Sequence, residues 1–206
     1  TKRNLLPARS VAMSSRPELK IDWATYEAAK YAVEHWHYSK CLPTGKIVKI
    51  GAWEQKQFIG VVLFSRGATP HIGSPYNLPQ TEVCELTRVA LKNHLTPVSK
   101  IVSISIKFLK KSNLGLRLIV SYSDMDQEHY GTIYQAGNWI YTGLFNEGTR
   151  GAFIVKGKKT HPRSIGAAGG VQSLKWIKEH LDQNAKEFIT KGKHKYLMPL
   201  DDEMRK

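Results

Sequence analysis

Four clusters of side chains in this sequence have types and spacings that suit chemistry. The first is His35-Trp36-His37-Tyr38. Histidines two apart cannot share a helix face, so one of them points inward. His37 and Tyr38 would then offer an imidazole and a phenol to one site, although such a pair equally suits a core or a surface. The second cluster is Ser121-Tyr122-Ser123-Asp124 with Gln127-Glu128-His129-Tyr130-Gly131. It falls where a strand pattern ends and a helix pattern begins, the place where open α/β sheets put ligands. Asp124 and His129 could be a base and its orienter or two metal ligands, or Asp124 could simply cap the next turn. The third is Arg88 in Glu85-Leu86-Thr87-Arg88. If buried it needs a carboxylate or phosphate partner, and strict alternation sends Glu85 to the opposite face; an Arg88 that reaches solvent needs neither. The fourth is Thr96-Pro97-Val98-Ser99-Lys100, opening a helix just after a strand. Free amides and the helix dipole favour an anion there, with Ser99 and Lys100 adding a hydroxyl and a charge, while an ordinary capped helix reads the same way.

The elements that must position these residues follow from periodicity. Asp22 reads as an N-cap, and Trp23, Tyr26, Ala29, Val33 and Trp36 recur at helical spacing after it. Residues 46–53 and 57–65 read as strands joined by a short polar turn, the second nearly continuous in apolar residues, as a doubly buried strand is. Residues 66–80 form a long Pro- and Gly-bearing loop, and 82–91 a third strand. A helix follows over 97–111 and ends in lysines that complement its dipole. Then come a strand at 116–123, a short helix at 131–137 and a strand at 139–145. Further on, a helix at 171–181 and a strand-like stretch at 193–198 complete the pattern. This order implies an α/β fold, a mixed sheet flanked by helices, with an antiparallel opening hairpin and parallel pairing in the second half.

Composition narrows the class. Across 206 residues, 41% are hydrophobic and 23% charged, with aromatics at 10%. That excludes a disordered chain, a collagen-like repeat and a disulfide scaffold. No apolar run approaches the roughly 18 residues of a membrane span. Cys41 and Cys84 lie in no metal-ligand spacing, and there is no Walker A, Gly-x-Ser-x-Gly or dinucleotide fingerprint. A cytoplasmic protein is the expectation. The net charge is +14. Residues 1–20 contribute +4, residues 21–149 contribute +3 and residues 150–206 contribute +7. The expected organisation is a basic arm at 1–20, a catalytic core at 21–155 and a basic extension at 156–206 packed on that core. Lys156, Lys158, Lys159, His161, Arg163, Lys191, Lys193, Lys195 and Tyr196 in the extension suit phosphate contact with stacking, or a solvated basic face.

Taken in order, His37-Tyr38-Ser39, Gly60-Val61-Val62, Glu85-Leu86-Thr87-Arg88, Ser121-Tyr122-Ser123-Asp124 and the block from His129 to Trp139 resemble the Mom DNA-modification family of phage Mu. The stretch from Lys193 to Leu200 is similar to that family's C-terminus. The resemblance implies a divergent GNAT acyltransferase fold and conversion of adenine N6 in duplex DNA to an N6-carbamoylmethyl group, which protects DNA from restriction. It implies His37, Tyr38, Arg88, Asp124 and Tyr134 as catalytic residues. It also implies acetyl-CoA or a related acyl-CoA as cofactor, its pyrophosphate held where Thr96, Ser99 and Lys100 open the helix. Against the usual GNAT pattern, Pro97-Val98-Ser99-Lys100 lacks glycine.

Plain acyl transfer bonds nitrogen to a carbonyl carbon, whereas a carbamoylmethyl group bonds it to a methylene. This motivates a non-haem iron at His37, Tyr38 and Asp124, close to His129. Double-stranded DNA is the expected partner, contacted by Lys158, Lys159, Arg163, Lys193 and Lys195. Base flipping would place the adenine near Trp36, Tyr76, Tyr130 or Trp139, each of which suits the core better than a stacking platform. Oligomerisation is left open. Two further readings are an ordinary GNAT N-acetyltransferase for a protein or small amine, and a nucleic-acid-binding protein on an inactive acyltransferase fold.

Overall fold

The computed structural model describes residues 17–43 and 45–206, so most of the expected arm at 1–20 lies outside the described residues. Its last residues already belong to the sheet: β1 (Leu19–Trp23) pairs antiparallel with β2 (Ile47–Glu54). Asp22 therefore sits in a strand opposite Gly51 rather than at a helix cap. The N-cap of α1 (Tyr26–Trp36) is Thr25, whose hydroxyl accepts from the Ala28 amide. Both residues carry the oxygen a cap needs. Pairing with β2 is what takes Asp22 away from that role.

β2, β3 (Gln57–Ser65) and β4 (Val83–Leu91) form an antiparallel meander. After α2 (Val98–Ser112), β5 (Leu118–Asp124) returns parallel to β4, as a strand–helix–strand unit requires. α3 (Thr132–Gln135) and β6 (Ile140–Phe145) follow. β6 does not pair with β5. A later strand, β10 (Lys193–Pro199), lies between them and is antiparallel to both, giving the order β1-β2-β3-β4-β5-β10-β6. The segment expected as an added extension thus supplies an inner strand of the sheet.

Two layers cover the sheet. α1 buries Ala29, Ala32 and Val33 on Val61, Leu63 and Ala90. On the opposite face α2 buries Ile101, Val102, Ile106 and Leu109 against Val62, Phe64, Leu86 and Ile119. The 66–80 loop is ordered around Ile72 and Leu78, which pack on Val83, Leu118 and Val120.

Between β6 and β10 the chain builds a second sheet of β7 (Arg150–Val155), β8 (Lys158–Thr160) and β9 (Lys186–Ile189), in the order β8-β7-β9. Two helices, α4 (Pro162–Ala167) and α5 (Leu174–His180), accompany it. Phe153, Ile165, Ile177 and Ala185 make its own small core. Asp126, in the turn after β5, ties this module to the main sheet. Its carboxylate accepts from Lys159 Nζ at 2.9 Å, Thr190 Oγ1 at 2.8 Å and the Lys191 amide at 2.9 Å. Burial opposes its ionised form, but these donors outweigh burial and hold the carboxyl below the usual carboxylate range. Among the described residues, no helix is long and apolar enough to cross a membrane.

Asp126→Ala should cost about 2–3 kcal/mol, the scale of lost charge-assisted bonds at a buried acceptor. It should also expose residues 146–192 to limited proteolysis. Because the folded-state pKa is depressed, the stability that Asp126 contributes is present above the unfolded value near 3.8 and lost as pH falls below it. The difference in Tm between the two proteins should therefore shrink on acidification.

Candidate active site

The sheet opens at its centre. β4 and β5 pair only from Val83↔Leu118 to Leu86↔Ser121; beyond that β4 keeps only β3 and β5 keeps only β10. A cleft of about 560 Å³ occupies this fork, lined by Thr87, Arg88 and Val89 of β4 and by Tyr122 and Ser123 of β5. Trp36, His37 and Tyr38 close one side; His94 and Val98 at the start of α2, and residues 128–134, close the other. The carboxyl ends of parallel strands have met where a ligand site is expected.

A β-bulge aims Arg88. Leu63 opposes Arg88 and Phe64 opposes Leu86, so Thr87 is the extra residue. Strict alternation would put Glu85 and Arg88 on opposite faces. The bulge puts them on the same face, beside their partners Ser65 and Leu63. Arg88 donates through Nε to Ser39 Oγ at 3.1 Å and through a terminal nitrogen to the Thr87 carbonyl at 2.8 Å.

Ser39, which sequence reasoning did not single out, joins Arg88 to His37. Its amide donates to His37 Nδ1 at 3.1 Å, and its hydroxyl lies 2.8 Å from the same nitrogen. An amide can only donate, so Nδ1 is the unprotonated nitrogen and the neutral ring carries its proton on Nε2. Burial and the Arg88 charge push the His37 pKa down to about 4. His37 is thus a neutral hydrogen-bond donor. Tyr38 packs on it with ring centroids 4.3 Å apart and meets His129 edge-on at 5.1 Å. Burial, and then the Asp124 charge, raise the Tyr38 phenol above its ordinary value, so it too keeps its proton.

Tyr134 forms the floor. Its hydroxyl lies 2.8 Å from Ser121 Oγ, which is itself 2.8 Å from the Leu86 carbonyl. A carbonyl only accepts, so Ser121 donates to Leu86 and Tyr134 donates to Ser121. Burial pushes the Tyr134 phenol up to about 12. Trp139 packs edge-on against Tyr134, is buried, and serves the core rather than a stacking surface. Gly131 turns the chain here with φ +75°, and a side chain on it would run into the Tyr196 ring.

Asp124 does not line the cleft among these residues. Its carboxylate accepts from the Asp126 amide at 3.0 Å and faces Lys193 Nζ at 3.8 Å, so it caps the turn. Of the residues expected to hold iron, His37 uses Nδ1 to accept from Ser39 and Asp124 caps its turn. Among the described residues no group of three His, Cys, Asp or Glu side chains is placed to hold a metal ion.

The expected pyrophosphate contacts are also redistributed. Thr96 is buried, and its amide and hydroxyl donate to Glu54 Oε1 at 2.8 and 2.6 Å, while the Leu95 amide donates to Oε2 at 2.6 Å. The amides of Lys100 and Ile101 donate to the Pro97 carbonyl. The Val98 and Ser99 amides remain at the start of α2, with the exposed Lys100 beside them. These are the groups of the expected contacts that stay at the helix start; Thr96 is an anchor for the loop.

Of the expected DNA contacts, Lys159 is spent on Asp126 and on the Phe188 ring, 3.9 Å below its ammonium. Lys158, Arg163 and Lys193 are exposed, and Lys195 lies over the Tyr76 ring at 5.2 Å.

Comparison with known proteins agrees with this architecture. The sequence model of the Mom protein family matches residues 18–206. No curated protein matches the chain. Among solved structures, a Bacillus subtilis acetyltransferase in complex with CoA is 13% identical, covering 90% of this chain and 100% of that one, with a TM-score of 0.51. A mosquito arylalkylamine N-acetyltransferase like 5b is 10% identical, covering 89% and 100%, with a TM-score of 0.52. A Chromobacterium violaceum protein described as a probable GNAT-family acetyltransferase is 10% identical, covering 96% and 97%, with a TM-score of 0.50. The fold is of the GNAT acetyltransferase type.

Arg88→Gln should raise the His37 pKa from about 4 toward its ordinary value, read by NMR titration of the imidazole. In the wild type, the unfolded chain binds the His37 proton between pH 6.5 and about 4 while the folded chain does not, so this group weakens folding as pH falls through that window. The variant should show a smaller loss there.

Proposed function

The chain belongs to the Mom protein family, and from that premise we propose that it modifies adenine N6 in double-stranded DNA, leaving an N6-carbamoylmethyl group that shields the DNA from restriction. The observation that carries this reading is the fork between β4 and β5, where one cleft joins the start of α2 to the face bearing Arg88 and Tyr122. A donor with a phosphate-bearing arm, an acyl-CoA, fits the α2 side, with Val98, Ser99 and Lys100 at its phosphate. The acceptor enters on the α1 side. His37 and Tyr38 then present two neutral donors to a developing oxyanion, and His129 at the rim is the imidazole placed to take a proton.

A duplex holds N6 in a base pair, so the adenine must leave the stack. Lys158, Arg163, Lys193 and Lys195 supply phosphate contacts for that distorted duplex, and affinity should fall steeply with salt. The product's nitrogen–methylene bond calls either for a two-electron oxidant acting on an acetyl methyl or for a donor whose α-carbon bears a leaving group, and its carboxamide needs an ammonia-level nitrogen that displaces the CoA thiolate from the thioester. No step is assigned to a metal. The fold alone favours one other reading, N-acetyl transfer to an ordinary amine.

The test is nucleoside mass spectrometry on DNA from bacteria expressing the wild type or Arg88→Ala. A deoxyadenosine heavier by a carbamoylmethyl group is expected in the first and about tenfold or more reduced in the second, the scale for losing a charged contact in a site. An acetyl increment would establish the other chemistry. Unmodified DNA beside folded, expressed protein would overturn the proposal.

A further inference from the structure

On the acceptor face of the fork, register places a carboxyl to which the reading above gives no role. Glu85 opposes Val120, Tyr122 opposes Lys195 and Asp124 opposes Lys193, so these side chains share one side of the sheet. The bulge at Thr87 adds Arg88 to that side. Arg163, from α4 of the inserted module, comes near enough to act on Glu85 as well. Glu85 therefore shares this side with Arg88 and Lys193, yet among the described residues it forms no ion pair within 4.0 Å. A side chain at Gly67 would approach Glu85 Oε2 at 3.4 Å, so the loop closes directly over the carboxyl.

A carboxyl beside these cations repels phosphate and attracts a hydrogen-bond donor. The cations suit the backbone on either side; the carboxyl suits an amino group. Tyr122 stands beside it, lining the cleft, with the Phe145 ring 5.6 Å behind and Tyr76 close by. A ring in that position gives a flipped base a stacking surface.

Building on the proposed DNA reaction, we propose that Glu85 and Tyr122 form the base subsite: Tyr122 stacks on the extruded adenine, and the Glu85 carboxyl accepts a hydrogen bond from its N6 amino group, while Arg88, Arg163 and Lys193 hold the neighbouring phosphates. Burial, working against the attraction of Lys193, Arg88 and Arg163, raises the Glu85 carboxyl above its ordinary value. That matches an acceptor kept from direct pairing with those cations.

The experiment measures equilibrium binding of full-length wild type, Glu85→Ala and Glu85→Gln to short duplexes with adenine or purine, which lacks the amino group, at one unpaired position. Binding to the same duplex without that position unpaired, across a salt series, is the reference. The wild type should prefer adenine over purine by roughly ten- to a hundredfold, the range for one base-edge contact. Glu85→Ala should lose that preference while keeping its salt dependence, because the phosphate contacts remain. Glu85→Gln, isosteric and still an acceptor, should keep part of the preference, which guards against a folding defect in the alanine variant. A preference unchanged in Glu85→Ala would overturn the assignment and leave the DNA reading standing. Absence of salt-dependent DNA binding by the wild type would overturn the DNA reading and, with it, this subsite.

Discussion

Beyond Leu86 and Ser121 the two central strands no longer exchange hydrogen bonds, and each leans on its outer partner alone. β10 makes this separation stable. It satisfies the backbone of β5 along its far edge and carries Tyr196, whose buried ring stacks on Tyr134 at 4.8 Å and whose hydroxyl donates to the Tyr130 carbonyl at 3.1 Å. The cleft floor is thus bolted to the strand that holds the fork apart. Without β10, the exposed edge of β5 would need another partner, and the helical turn bearing Tyr134 would lose its backing.

The charges around this opening have a consistent logic. At the cleft, burial and the Arg88 charge hold His37 without its extra proton, while the Tyr38 and Tyr134 phenols keep theirs. Carboxylates that remain ionised are used elsewhere as anchors, Glu54 behind the start of α2 and Asp126 under the inserted module. Both are buried acceptors surrounded by donors, an arrangement that fixes loops in place. Apart from Arg88 in the cleft, cationic side chains such as Lys158, Arg163 and Lys193 lie on the outside, where a polyanion can reach them.

Much of this was legible in the residues themselves. The apolar runs at Phe58–Phe64 and in α2 demanded a buried strand and an amphipathic helix, and the structure contains both at nearly the expected bounds. What escaped was governed by partners distant in sequence. Asp22 and Thr25 offer the same local cap, and only pairing across to Gly51 decides between them. Thr96 looks like a ligand contact until Glu54, 42 positions away, is placed against it. Arg88 and Glu85 seem opposed by alternation until one inserted residue turns the strand. β8 and β9 of the small sheet are short and carry charged residues such as Lys158, Lys159 and Lys186, so they lack the apolar alternation by which strands announce themselves.

The position of that small sheet has a further consequence. β6 and β10 pair with each other, and Gly192 closes against Phe145 and Glu147 where the chain leaves and re-enters. Topologically the whole module is one enlarged hairpin loop. The entropy of closing such a loop grows only with the logarithm of its length. A segment with its own core can therefore lengthen, shorten or change its charge there with little strain on the sheet beneath. The chemistry of the fork and the charged surface of the module beside it are thus free to diverge separately.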